Sequence, residues 1–426
     1  MKRVVVTGLG FITSIGNSRA QVLSSLRECR TGVELFSEFA SSDIPVKLAG
    51  TVKGFQFPTA YFEDWSYPGQ YEPSREQLRP MAPNSLYAYC AMQQAIAEAR
   101  LSPDLLSNPR TGLISASGGS MWMAYENLHT MVTRGVVRCQ PMGIVNSIPG
   151  SLYINLAACF KIKGPTLGCS SACSSSAHAL GLAADLIRSG RQDTVLVVGA
   201  EDCNKFSILP FASVRALSLQ TDPEKAPRAF DRKRDGFVGT GGACVLVLEE
   251  LEHALRRGAS IGAEMLGWGQ TSDGYNVLAP DPGGDGLSRA MDAAIVASGV
   301  GHNEIDYINA HATSTQAGDA SECQAIRKSF RDQKVPFVSS TKSLTGHGLS
   351  LAGAMEAAFC CLALEGKFIP VSANITELDP QCDQIPVVTK PVADIPKIAL
   401  SNSSGFGGTN VSLIFRRWED ASTGQS

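Results

Sequence analysis

The chain has no strong excess of charge of either sign. Across 426 residues, 37 Lys and Arg stand against 40 Asp and Glu, giving a formal net charge of −3. That balance excludes a global basic field for nucleic acid, so an acidic partner must meet a local patch. No apolar run has the length of a membrane span without a Gly, Ser or charge interrupting it, so no membrane insertion is expected. The start, Met1-Lys2-Arg3-Val4-Val5-Val6-Thr7-Gly8, lacks a signal-peptide layout and enters a strand-like run at once. The twelve cysteines include no C-x-x-C pair, which argues for reduced thiols in the cytoplasm over a disulfide scaffold. Short repeats and low-complexity linkers are also missing. What is present is a 44% hydrophobic composition, ample for a large core and incompatible with disorder as the main state.

Strand and helix patterns alternate. Val4–Val6, Thr194–Val198, Cys244–Leu248, Val335–Val338 and Val411–Phe415 read as strands. Ser85–Arg100, Ser174–Ser189, Leu287–Ser298, Ala320–Phe330 and Ala352–Leu364 carry apolar residues at helical spacing. The alternation predicts α/β layers with strands buried between helices. Phe55–Pro83 is the most loop-like segment, and the tail beyond Trp418 is polar and expected to fray.

Four segments stand out. Gly168-Cys169-Ser170-Ser171-Ala172-Cys173-Ser174-Ser175-Ser176-Ala177-His178 follows a turn and opens a helical run. A thiol at a helix N-terminus feels the positive end of the dipole, which favours thiolate; the same small residues equally suit a tightly packed helix start. Tyr307–Asp319 and Val338–His347 each read as a strand ending in a small polar turn, and they place His311 and His347, two of only six histidines, at such ends. Side chains converge on active sites at strand ends of this kind. Ser401–Asn410 reads as a Gly-rich turn before a strand, without the spacing of a phosphate cradle.

With these residues in hand, the sequence resembles the β-ketoacyl-acyl carrier protein synthases over essentially its whole length, most closely those of the KAS I/II type. Met1–Gly10, Gly164–Gly181, Asp231–Gly242, Asn309–Asp319, Ser339–Gly353 and Ser401–Asn410 carry the likeness. The resemblance implies a thiolase-like α/β fold of two similar halves in a five-layered αβαβα arrangement. Residues 1–255 would form the half with the nucleophile and 256–426 the half with both histidines and the lysine. It implies a decarboxylative Claisen condensation of malonyl-carrier with an acyl group held on Cys173, giving a two-carbon-longer 3-oxoacyl-carrier for fatty acid biosynthesis. His311 and His347 would complete a Cys-His-His triad, with Lys342 ordering the site and Glu322 pairing with that lysine. Phe406 would gate the site and join Cys173 in an oxyanion hole, and Thr313 and Thr315 would support it. No cofactor or metal is implied, since phosphopantetheine arrives on the acyl carrier protein. The family usually forms a homodimer.

Departures from the family pattern suggest where this chain differs. Ala312 stands where Gly is usual, and Ser404 where Phe is usual, which suggests a roomier or more polar site. Gly118-Gly119 replaces a bulkier residue, making Gly119, Met121 and Trp122 candidates for the acyl pocket, though Met121–Met123 equally suits core or interface packing. Arg75, Arg79, Arg134, Arg138 and Arg215 are candidates for docking an acidic carrier protein, with Glu76 a departure among them. These features motivate an alternative, a ketosynthase of a specialised polyene or polyketide pathway, active as half of a heterodimer with a chain-length-factor-like partner. A CoA-dependent thiolase fits poorly, because Ser401–Asn410 lacks the second cysteine such enzymes use. A non-catalytic partner subunit fits poorly because Cys173 is retained.

Overall fold

A computed structural model describes residues 1–419; the end of the polar tail lies outside the described residues. Among the described residues, twelve strands occur: β1 Val4–Ile12, β2 Val33–Leu35, β3 Leu48–Gly50, β4 Thr111–Ala116, β5 Thr166–Cys169, β6 Thr194–Glu201, β7 Gly242–Glu250, β8 Ala263–Ser272, β9 Tyr307–Asn309, β10 Phe337–Ser339, β11 Ile398–Gly405 and β12 Thr409–Arg417. Ten of them are hydrogen-bonded in the order β10-β9-β11-β12-β8-β1-β7-β6-β4-β5, while β2 and β3 pair separately.

The pairing pattern occurs twice. β5 and β6 flank β4 in parallel, and β7 and β1 then follow antiparallel. In the other half β10 and β11 flank β9 in parallel, and β12 and β8 follow antiparallel. Within the sheet, the halves join where Val4–Val6 of β1 meets Ala263–Met265 of β8. This is the two-halved α/β architecture implied by the sequence.

The layers follow from which helix faces are apolar. The helices Ser175–Arg188 and Ala352–Gly366 touch strands of both halves, so they form the central layer. Every residue from Ala352 to Leu364 is buried, which is why that helix reads as apolar all round. Gly353 lets the two helices meet closely: a Cβ there would fall 2.6 Å from Ala177 N. Outside lie Pro83–Ala99 against β1, β6 and β7, and Asp285–Ser298 against β8 and β12. The segment Leu349–Gly366 is long and apolar enough to cross a bilayer, but 83% of it is buried inside the fold.

Several expectations need correction. The strand expected over Val335–Val338 begins at Phe337, because Pro336 has no N–H for the ladder. Ser401–Gly405 is not part of a turn but the end of β11, and only Phe406-Gly407-Gly408 lies between it and β12. The turn expected before Cys173 contains β5, an edge strand with Leu167 and Gly168 exposed. Phe55–Pro83 is largely irregular as expected, and it buries Phe55, Trp65 and Tyr71 against Tyr87 and its neighbours. All twelve cysteines are free.

Candidate active site

Cys173 sits between Ala172, whose φ is +50°, and Ser174, the residue that starts the helix Ser175–Arg188. A left-handed non-glycine residue is uncommon and marks a tight turn. The helix does not deliver its first free N–H groups to the thiol. Ser174 N and Ser175 N donate instead to Ser171 O and Ala172 O, each at 3.2 Å. Cys173 is also buried, and burial pushes its thiol up to about 12, with Lys342 the main opposing influence. The expectation of a dipole-favoured thiolate is therefore overturned: desolvation dominates and the resting group is the thiol.

His311 follows β9, and His347 follows the short helix Lys342–Thr345 through Gly346. Their rings lie 5.3 Å apart at 84°. His347 N donates to Val238 O at 2.7 Å, tying the second histidine to the N-terminal half. Burial holds both imidazoles well below their usual range, and Lys342 depresses them further. Both are therefore neutral N–H donors at pH 7. An aromatic chain links them to the hairpin turn: the His347 ring meets Phe237 at 5.1 Å, Phe237 meets Phe211 at 5.5 Å, and Phe211 meets Phe406 at 6.0 Å. The hairpin also touches the cysteine turn, since a Cβ on Gly405 would fall 2.8 Å from Ser171 O.

Glu322 does not pair with Lys342. Its carboxylate accepts from His311 N at 3.0 Å, Ala312 N at 2.6 Å and Asn402 Nδ2 at 3.0 Å. Lys342 Nζ instead donates to Glu356 Oε1, with both groups buried. Three N–H donors already engage the Glu322 oxygens, and the ammonium pairs with the other glutamate. Burial pushes Glu356 up to about 7 against the pull of Lys342. Glu356 and Asn402 are site residues that the sequence reading missed. Glu356 carried a signal: it is a lone acid in the otherwise apolar run Ala352–Ala363. Glu201 was missed as well. It accepts from Gly118 N at 2.8 Å and from Ser350 Oγ, and burial raises it to about 7.

Thr313 and Thr315 share a hydrogen bond at 3.1 Å, and Thr315 caps the helix Gln316–Ser329 through Gly318 N. Ala312 is not left-handed; Ser314 takes that conformation, with φ +71°. The extra methyl therefore fits without disturbing the turn. Ser404 donates to Asn410 Oδ1 across the hairpin at 2.7 Å, so its polarity is satisfied within the β11–β12 ladder.

The pocket candidates separate. Gly119, with φ +82°, packs against Pro149, while Met121 is exposed, Met123 is buried, and Trp122 lines a groove of about 800 Å³. That groove is walled by Phe36, Phe55, Phe57 and Tyr61 among others, which gives the loop-like Phe55–Pro83 stretch a defined position. Arg75, Arg79, Arg134, Arg138 and Arg215 are all exposed. Arg75 is engaged with Glu63 at 2.7 Å. Arg215 follows the turn carrying Phe211, and so lies next to the residues that touch Phe406. No grouping of three or more His, Cys, Asp or Glu fit to hold a metal occurs among the described residues.

Comparison with known proteins agrees with this geometry. Residues 1–254 match the beta-ketoacyl synthase N-terminal domain and residues 262–376 its C-terminal domain. The chain is 41% identical over 425 residues to 3-oxoacyl-[acyl-carrier-protein] synthase 1 of Haemophilus influenzae, covering 98% of this chain and 100% of that one. A crystal structure of a beta-ketoacyl synthase from Burkholderia phymatum superposes with a TM-score of 0.89 at 34% identity, over 98% of this chain and 100% of that one. The ishigamide ketosynthase/chain length factor structure gives a TM-score of 0.87 at 31% identity, again over 98% and 100%. By fold, by its two matched domains and by full-length likeness, the chain belongs to the beta-ketoacyl synthase family.

Proposed function

We propose that the protein is a 3-oxoacyl-carrier-protein synthase of fatty acid biosynthesis that uses Cys173, His311, His347 and Lys342. The observation that carries this reading is the pair of neutral, buried imidazoles, held beside one another with a lysine–glutamate pair nearby. In the first half-reaction the Cys173 sulfur attacks an acyl-carrier thioester, the carrier leaves as its thiol, and the Cys173 proton goes to that leaving sulfur. The Cys173 and Phe406 amides stabilise the tetrahedral oxyanion. In the second, the C–C bond to the malonyl carboxylate breaks and CO2 leaves. Neutral His311 and His347 donate to the thioester oxygen, stabilising the enolate. Its carbon then attacks the acyl-Cys173 carbonyl, and the released thiolate regains a proton. Donors of this kind contribute about 3–4 kcal/mol each when removed singly. No metal or redox cofactor takes part.

The acyl carrier protein is the partner of this reading, met by the exposed side chains of Arg75, Arg79, Arg134, Arg138 and Arg215. A second copy of the chain is the other. Support comes from the exposed edge strand β5 and the exposed apolar residues Val132, Val136, Val137 and Ile144 on neighbouring segments. The compartment proposed is the cytoplasm, which suits twelve free cysteines. The likeness to a ketosynthase/chain length factor favours a second reading, the catalytic half of a heterodimer in a specialised pathway.

Intact mass spectrometry tests both. Incubation with acyl-carrier proteins should label wild type and leave Cys173→Ala unlabelled, and malonyl-carrier should then release a product two carbons longer. Loading without elongation by the chain alone, restored by a chain-length-factor-like subunit, selects the second reading. Labelling of Cys173→Ala refutes the assignment of the nucleophile.

A further inference from the structure

The cysteine turn and the Phe406 hairpin are joined through one hydroxyl. Thr409 Oγ1 lies 3.1 Å from Ser171 O and 3.0 Å from Ser174 Oγ, and Ser174 Oγ donates to Ser171 O at 2.8 Å. Each hydroxyl has one proton, so in either arrangement of this triangle Ser171 O keeps a hydroxyl donor besides Ser174 N. The cysteine side is fixed independently. Ser171 N donates to Ser175 Oγ at 2.8 Å, and Ser171 Oγ is 2.8 Å from His178 Nδ1. That nitrogen also lies 3.2 Å from Ser174 O, so the His178 ring sits between the Ser171 hydroxyl and the Ser174 carbonyl. Every polar group of Ser171 is thus engaged, two residues before the nucleophile.

On the other side, Gly405 has no room for a side chain: a Cβ would fall 2.7 Å from Thr409 Oγ1 and 3.1 Å from Ala172 Cβ. Phe406 follows Gly405, and Cys173 follows Ala172. The contact between Gly405 and Ala172 therefore sets the distance between the two amides, and the Thr409 hydroxyl is the polar tie across it. The backbone of Gly407 and Gly408, with φ of +80° and +72°, is tied elsewhere, Gly407 N donating to Val277 O and Asp273 N to Gly408 O, each at 2.9 Å, so these bonds anchor the loop away from the cysteine turn.

We propose that Thr409 is a positioning residue, locking the Phe406 hairpin to the cysteine turn so that the Phe406 and Cys173 amides converge on one oxygen. This rests on the reading of those amides as the oxyanion hole. Thr409→Val keeps the shape and removes the tie. It should lower kcat for acyl loading of Cys173 about tenfold, between the loss of one hydrogen bond and of a whole oxyanion donor, with KM for the acyl-carrier unchanged. Thr409→Ser should restore loading. Alkylation of Cys173 by iodoacetamide forms no oxyanion and should proceed at the wild-type rate in both. Ser174→Ala should add less than multiplicatively to Thr409→Val, since both act on one triangle. Wild-type kcat in Thr409→Val, an equal loss of alkylation, or no rescue by Ser overturns the lock alone. A wild-type protein that loads no acyl chain overturns the activity on which it rests.

Discussion

The reactivity of Cys173 should climb with pH where an ordinary thiol levels off. Burial pushes this thiol to about 12, and Lys342 is the largest influence in the opposite direction. At pH 7 the thiolate fraction is then about 10⁻⁵, against roughly 3% for a free cysteine near 8.5. The higher-pKa thiolate is more nucleophilic, which at a Brønsted slope of about 0.45 returns about one and a half decades of those three and a half. The net expectation is alkylation about a hundredfold slower than free cysteine at pH 7, rising close to tenfold per pH unit from pH 6 to 10. The assay is iodoacetamide labelling followed by peptide mass mapping, which separates Cys173 from the eleven other free thiols. Lys342→Met should slow labelling further, because it removes the charge that favours thiolate. A plateau with a midpoint near 8, or faster labelling in Lys342→Met, would show that the helix terminus outweighs burial and would refute the reasoning.

Two further outcomes follow from the buried charges. Lys342→Met leaves Glu356 without its partner; with a folded pKa above the unfolded one, the carboxyl loses stability as pH rises from about 4.5 through the folded value. Denaturant midpoints should show a loss of about 3–5 kcal/mol at pH 9, less at pH 6, and substantial recovery in Lys342→Met/Glu356→Gln; a pH-independent loss contradicts the account. Because His311 and His347 are held well below their usual range, neither imidazole should titrate between pH 6 and 8, and malonyl decarboxylation should show no histidine transition near pH 6.5. His311→Ala or His347→Ala should slow that half-reaction more than acyl loading, and a rise centred near pH 6.5 or equal loss of both half-reactions would sink the division of labour.

The helices and most core strands were legible because their burial is one-sided or complete. Ser85–Arg100 and Leu287–Ser298 lie within two residues of the observed helices, and Thr194–Val198 and Cys244–Leu248 fall inside β6 and β7. β5 was not legible: Thr-Leu-Gly-Cys has no alternation, and as an edge strand it is held on one side only, by β4. The duplication was only suggested by sequence, because the two halves repeat a pairing order and not a residue pattern.

At the site, residue types were legible and pairings were not. Glu322 and Glu356 flank Lys342 at 20 residues before and 14 after, and nothing local selects between them. The choice is made by backbone geometry far from the lysine. β9 ends so that His311 N and Ala312 N point at Glu322, and β11 brings Asn402 to the same carboxylate. Both Glu322 oxygens thus have N–H donors, whereas Glu356 keeps a buried oxygen, Oε2, with no hydrogen-bond partner. An ammonium entering this interior gains most from the carboxylate that is not already neutralised by dipoles. The same long-range logic overturned the thiolate expectation, because a helix start is written in a few neighbouring residues and desolvation is written across the whole fold.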